Sequence, residues 1–155
     1  IKERSPYNFI GIKKKETHFE TSTTMQFNPT INGEEAGLCL IQKDDNYILF
    51  DVRHEDNENV LRLVINAKKK NALLQKDLVM GKKYKNYIEL KVILKENKYH
   101  FYHRYQSNDL WELFDTAASD LLLSEGYTGS HIGLYATSNG KKSINFASFD
   151  VFKLN

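Results

Sequence analysis

The chain has 155 residues, a formal net charge of +2 from 22 Lys and Arg against 20 Asp and Glu, and one cysteine. That length suits one domain, which buries roughly 70% of its unfolded surface, and the near-balanced charge argues against a nucleic-acid partner. Cys39 excludes an internal disulfide, and no apolar run is long enough to span a bilayer, so no membrane partner is expected.

The chain starts at Ile1 rather than Met and shows no signal peptide, so it is expected to be one domain cut from something longer. Its compartment, cytoplasmic or periplasmic/secreted, then depends on the missing N-terminus. Residues 1–8 read as linker-like, and Phe9 to Lys15 as a short edge strand whose lysines suit an edge. From Phe19 to Phe27 the apolar and threonine positions Phe19, Thr21, Thr23, Met25 and Phe27 point one way, and Glu20, Ser22, Thr24 and Gln26 the other. That is the period of a half-buried strand. Asn28-Pro29 ends it and Asn32-Gly33 makes a turn. Ala36 to Gln42 is apolar enough for a central strand, with Cys39 as a small core residue.

Asp44 to Asn46 turns the chain into Tyr47–Val52, and a polar loop, Glu55 to Asn59, leads to Val60–Asn66. Ala72 to Met80 is ambiguous between helix and strand by composition, and its neighbours favour strand. Ile88, Leu90, Val92 and Leu94 share one face of the next strand, and Glu96-Asn97 turns it into Tyr99–Tyr105. Leu110 to Asp115 continues as strand; Thr116 to Glu125 reads as a short helical turn or a long loop. Ile132–Ala136 and the aromatic-rich Asn145–Leu154, joined by a polar loop with Asn139-Gly140, suggest a terminal hairpin or close sheet pairing. About ten short strands with polar turns and no helix-period stripe predict an all-β, antiparallel, two-sheet sandwich.

The chemistry-bearing residues are sparse. His100 and His103 fall on opposite faces of a strand, and no Cys pair or EF-hand loop is present, so neither metal nor cofactor is expected. The acidic pairs Glu34-Glu35 and Asp44-Asp45 read as turn residues, and no strand offers two carboxylates at even spacing, as a sandwich glycosidase would need. Tyr99, Phe101, His103 and Tyr105 share one strand face, His100, Tyr102 and Arg104 the other. The first face suits the core. The second either is partly covered or offers Tyr102, with Arg104 as polar partner, to a sugar or a domain interface. Asp150, between Phe149 and Val151, requires hydrogen bonds or a cation; a structural anchor is favoured over a calcium ligand.

Ordered motifs carry a resemblance. They run from Pro6-Tyr7-Asn8-Phe9-Ile10-Gly11 through Phe27-Asn28-Pro29, Glu35-Ala36-Gly37-Leu38 and Asn46-Tyr47. Tyr99-x-Phe101-Tyr102 and Leu110-Trp111 follow, and Ile132-Gly-Leu-Tyr-Ala136 and Phe149-Asp-Val-Phe152 close the series. Together they resemble the C-terminal concanavalin A-like β-sandwich of glycoside hydrolase family 43, the β-xylosidases and α-L-arabinofuranosidases. The resemblance implies a non-catalytic jelly roll docked on a separate five-bladed propeller that holds the catalytic carboxylates. The implied partners are that propeller and xylan- or arabinan-derived carbohydrate. A free-standing carbohydrate-binding module is the alternative. Some xylosidases of the family reach the propeller's pocket with a Gly-Phe-Phe-Thr-Gly loop. Here the corresponding stretch is Glu125-Gly126-Tyr127-Thr128-Gly129, which implies a pocket or interface role for Gly126, Tyr127 and Thr128 and a missing ring at Gly126.

Overall fold

A computed structural model describes residues 8–14, 19–43, 46–67, 72–119, 130–140 and 147–154. The strands are β1 (Asn8–Lys14), β2 (Phe19–Phe27), β3 (Glu35–Lys43), β4 (Asn46–Glu55), β5 (Glu58–Ala67) and β6 (Ala72–Val79). They continue as β7 (Tyr87–Lys95), β8 (Lys98–Arg104), β9 (Glu112–Ala118), β10 (Ser130–Thr137) and β11 (Ala147–Leu154). One sheet has six strands in the order β1-β10-β3-β4-β5-β6, the other five in the order β11-β2-β7-β8-β9. Every pairing within them is antiparallel. The expected all-β, antiparallel two-sheet architecture is therefore what forms, and the ambiguous stretch from Ala72 is strand.

Alternation places the core between the sheets. Leu38, Ile48, Phe50 and Leu61 face Met25, Ile88, Leu90 and Phe101, all fully buried. The rings interlock: Phe50 stacks on Phe114 at 5.6 Å and meets Phe101 edge-on at 5.3 Å. Two hairpins close through paired residues of positive φ, Asp56-Asn57 (51° and 63°) and Glu96-Asn97 (53° and 61°). That left-handed pair matches strand twist and accounts for turns of two residues. The Glu55–Asn59 segment is thus a tight turn rather than a loop.

Two expectations need correction. β10 and β11 form no hairpin: β10 lies between β1 and β3, whereas β11 pairs with β2 in the other sheet. Asn139 (φ 55°) and Gly140 (φ 84°) do turn the chain, but into a crossing between layers. Ile132 and Leu134 pack from one sheet and Phe149 from the other, so burying both apolar sets requires the strands to separate. Likewise Thr116, expected in a loop or helical turn, belongs to β9, where pairing of Lys98 to Ala118 and Tyr99 to Ala117 extends the strand and buries Ala117.

His103 shows what the core does to a titratable group. Its ring is 4% exposed, edge-on to Tyr105 and Phe114, and among the described residues neither ring nitrogen has a hydrogen-bond partner. Burial lowers its pKa below the usual 6.5, against a smaller upward pull from Glu112. The unfolded chain takes up a proton that the native fold refuses, so this group makes stability fall as pH drops through about 6.5 toward the native pKa. We predict that the denaturation midpoint falls between about pH 7 and about pH 5, and that His103→Leu shows a shallower slope, the difference not exceeding about 1.4 kcal/mol per pH unit. Equal slopes would show that His103 is not the titrating group.

Candidate functional site

Two polar clusters lie on sheet faces that point away from the core. The first sits on the six-stranded sheet. Pairing aligns Tyr135 with Gly37, Gly37 with Asp51 and Asp51 with Arg62, one row across β10, β3, β4 and β5. Gly37 is the gap in that row. A Cβ there would meet the Phe50 carbonyl at 2.3 Å and the Asp51 Cα at 2.6 Å, so only glycine fits. Across the gap the Tyr135 hydroxyl donates to Asp51 Oδ2.

Arg62 takes the other side of Asp51, with Nε to Oδ1 at 3.1 Å and Nη2 to Oδ2 at 2.7 Å. The same Nη2 donates to Glu35 Oε2 at 2.5 Å, and Arg53 Nη1 reaches that oxygen at 2.9 Å. Arg53 also pairs with Glu55. Cys39, Tyr47, Leu49 and Val64 pack around the network, so Asp51 is 0% and Glu35 1% exposed. Cys39 is buried as expected, but on this outer face rather than between the sheets, and burial there raises its thiol pKa and keeps it inert.

Burial raises the Glu35 carboxyl pKa, Asp51 adds to the rise, and Arg62 and Arg53 oppose it. For Arg62, burial disfavours the charge but Asp51 and Glu35 outweigh it, leaving a raised pKa. Two carboxylates this close have the makings of an acid–base pair. Both instead accept from one guanidinium, and among the described residues neither carboxylate is exposed to a cleft: Asp51 is 0% and Glu35 1% exposed. Sequence reasoning placed Glu35 in a turn; it is the first residue of β3 and fully buried. The network was missed. Its signal was the pair of charges, Asp51 and Arg62, inside the two apolar runs Tyr47–Val52 and Val60–Asn66.

The second cluster lies on the outer face of the five-stranded sheet and holds Tyr102 and Arg104. Arg104 grips Glu89 with two bonds, Nε to Oε2 at 2.9 Å and Nη2 to Oε1 at 3.1 Å. Its guanidinium carbon lies 4.1 Å from the Trp111 ring centre, Lys91 Nζ lies 4.4 Å from that centre, and the same ammonium is 5.1 Å from the Tyr102 ring. Cations thus sit over these rings, and Arg104 is committed to Glu89. His100 is on this face and His103 on the other, as expected. Gly126, Tyr127 and Thr128 lie outside the described residues. Asp150 falls at an irregularity of the β11–β2 ladder, between Phe149 opposite Met25 and Val151 opposite Thr24; its side chain is outside the described set. Among the described residues no group of three or more His, Cys, Asp or Glu is placed to hold a metal ion.

The fold and its outward polar clusters define an antiparallel concanavalin A-like sandwich. Residues 1–155 match the family model described as the beta xylosidase C-terminal concanavalin A-like domain, and the chain belongs to that family. It is 28% identical over 150 residues to a xylosidase/arabinosidase of Butyrivibrio fibrisolvens, covering 94% of this chain and 28% of that protein. It is 26% identical over 150 residues to the non-reducing end alpha-L-arabinofuranosidase BoGH43B of Bacteroides ovatus, covering 94% of this chain and 27% of that protein. The solved structure described as Bacteroides ovatus Xyloglucan PUL GH43B superposes with a TM-score of 0.77 at 25% identity, over 95% of this chain and 29% of that one. A xylan beta-1,4-xylosidase from Bacillus halodurans shares the fold, with a TM-score of 0.81 at 15% identity, over 94% of this chain and 29% of that one. The chain thus spans less than a third of the length of these relatives.

Removing the Arg62 guanidinium leaves two buried carboxylates without their shared counter-ion. Arg62→Met is expected to destabilise the fold by about 3–5 kcal/mol, and adding Glu35→Leu and Asp51→Leu to recover most of that loss. Urea denaturation of the single and triple variants measures both. A single variant as stable as the parent would show that the network does not hold the sheet.

Proposed function

We propose that the chain is a non-catalytic accessory domain of a family 43 glycoside hydrolase, a β-xylosidase or α-L-arabinofuranosidase acting on plant polysaccharide. In this reading it docks on a separate catalytic propeller and borders that domain's sugar pocket. The carrying observation is family membership over residues 1–155, with relatives of which the matched region is only 28% and 27%. The chemistry of the network supports it. Glycoside hydrolysis requires two carboxyl groups flanking an open cleft, whereas Glu35 and Asp51 are sealed against Arg62.

Within this reading the loop holding Gly126, Tyr127 and Thr128 meets the propeller. Gly126 and Gly129 allow the backbone to turn sharply and project the Tyr127 ring. Tyr102 and Arg104 serve as a contact surface with the rest of the parent chain rather than as a stacking platform, because cations already lie over the Tyr102 and Trp111 rings. Aromatic and arginine side chains are the residues that interfaces favour.

The test is Tyr127→Ala in the full-length parent. We expect reduced kcat or raised KM on aryl xyloside or arabinofuranoside, with the denaturation midpoint of the 155-residue chain unchanged. Unchanged kinetics would remove the pocket role. A loss of about 1–3 kcal/mol in the isolated chain would instead show that Tyr127 covers the sandwich edge.

A further inference from the structure

Strands β2 and β7 end at a clamp. The Phe27 amide donates to the Asn86 carbonyl at 3.0 Å, and the Phe27 carbonyl accepts from the Tyr84 hydroxyl. Asn86 sits at φ 63°, the left-handed conformation that starts β7 directly after the turn. Around this clamp a depression of about 380 Å³ opens, lined by Gln26, Asn28, Lys85, Asn86, Tyr87 and Ser148, with Phe27 between them. Ser148, Gln26 and Tyr87 form one row across β11, β2 and β7. They point away from the core, because Met25 and Phe27, their alternating neighbours, are buried inside it.

The chemistry of the lining is selective. Three carboxamides and two hydroxyls, those of Ser148 and Tyr87, each both donate and accept hydrogen bonds, and one ammonium donates. No carboxylate lines the site, and the single cation is too little for a multiply charged anion. No hydrogen bond ties the side chains of Gln26, Asn28, Lys85, Asn86 or Ser148 to another described residue. The half-buried Tyr87 ring adds an apolar surface beside these groups. The volume falls at the lower end of the ~300–1,000 Å³ typical of small-molecule sites, enough for one or two glycosyl units. A neutral sugar presents this complement: hydroxyls that both donate and accept around a ring with an apolar C–H face. The clamp holds the Phe27 and Asn86 backbones in place, so binding has to order side chains but not the backbone that carries them.

We propose that this depression is a binding site for a neutral pentosyl unit of a polysaccharide chain. The choice of a pentose rests on the accessory-domain reading above; the preference for a neutral polyol rests on the lining alone. The test is titration of the isotopically labelled 155-residue chain with xylotriose, arabinotriose and, separately, inorganic phosphate, followed by amide chemical shifts. The expected result is saturable shifts with at least one of the sugars, centred on Gln26, Asn28, Asn86 and Ser148. Asn28→Ala and Tyr87→Ala should each weaken binding about tenfold or more, and Asp77→Ala, at an exposed position of β6 in the other sheet, should leave it unchanged. Two variants on separate elements guard against one that misfolds, which the spectrum itself would reveal. Shifts centred elsewhere, no shift with either sugar up to about 10 mM, or shifts at these residues with phosphate alone would overturn the proposal. The accessory-domain reading stands or falls on the kinetics of the parent enzyme, so the two can fail separately.

Discussion

The six-stranded sheet depends on one buried link, Asp51 to Arg62, with Tyr135 reaching Asp51 across Gly37. These residues come from four adjacent strands and meet only in one register. A slip of one residue would turn every side chain to the opposite face, placing Asp51 in the core and Phe50 outside. Transferring a carboxylate and a guanidinium from water costs several kcal/mol, so the pair contributes little net stability and contributes mainly choice of register. Stability comes from the apolar layer on the other face, where Phe50 meets Phe101 and Phe114. The ionic face decides which layer that is.

The same link gives physical content to the motifs that suggested the family. In Glu35-Ala36-Gly37-Leu38, Glu35 and Gly37 serve the ionic face while Ala36 and Leu38 enter the core. In Ile132-Gly133-Leu134-Tyr135, Ile132 and Leu134 pack inward and Tyr135 closes the network. The two motifs lie far apart in the chain yet pair residue for residue, Tyr135 to Gly37 and Leu134 to Leu38. They describe one structural device. Their chemistry is that of a scaffold, which fits a domain whose relatives carry most of their length elsewhere.

Much of this was legible in the sequence because period-2 alternation reports one-sided burial directly. The inward sets of β2, β7 and β8 were read correctly from Phe19–Phe27, Ile88–Leu94 and Tyr99–Tyr105. Alternation is blind to which sheet a strand joins, so β10 and β11 were paired by proximity and the crossing between layers was missed. It is also blind where both faces are buried. Along β4 and β5 an apolar run hides a polar face, and the charges within it, Asp51 and Arg62, were the only trace. Glu35 was misread because it adjoins a true turn: Glu34 Oε1 accepts from the Ile31 and Thr30 amides at 2.7 Å and 3.1 Å, and the strand begins one residue later. The polar depression beyond β2 had no sequence signature, since Asn28 and Asn86 meet only through the pairing of two strands.

The central claim is that the buried carboxylates set the register of the sheet and perform no hydrolysis, as the proposed accessory role requires. It is tested most directly by assaying the 155-residue chain alone on chromogenic xyloside and arabinofuranoside. The account predicts release no faster than in buffer. Turnover by the isolated chain that disappears in Glu35→Gln or Asp51→Asn would contradict it.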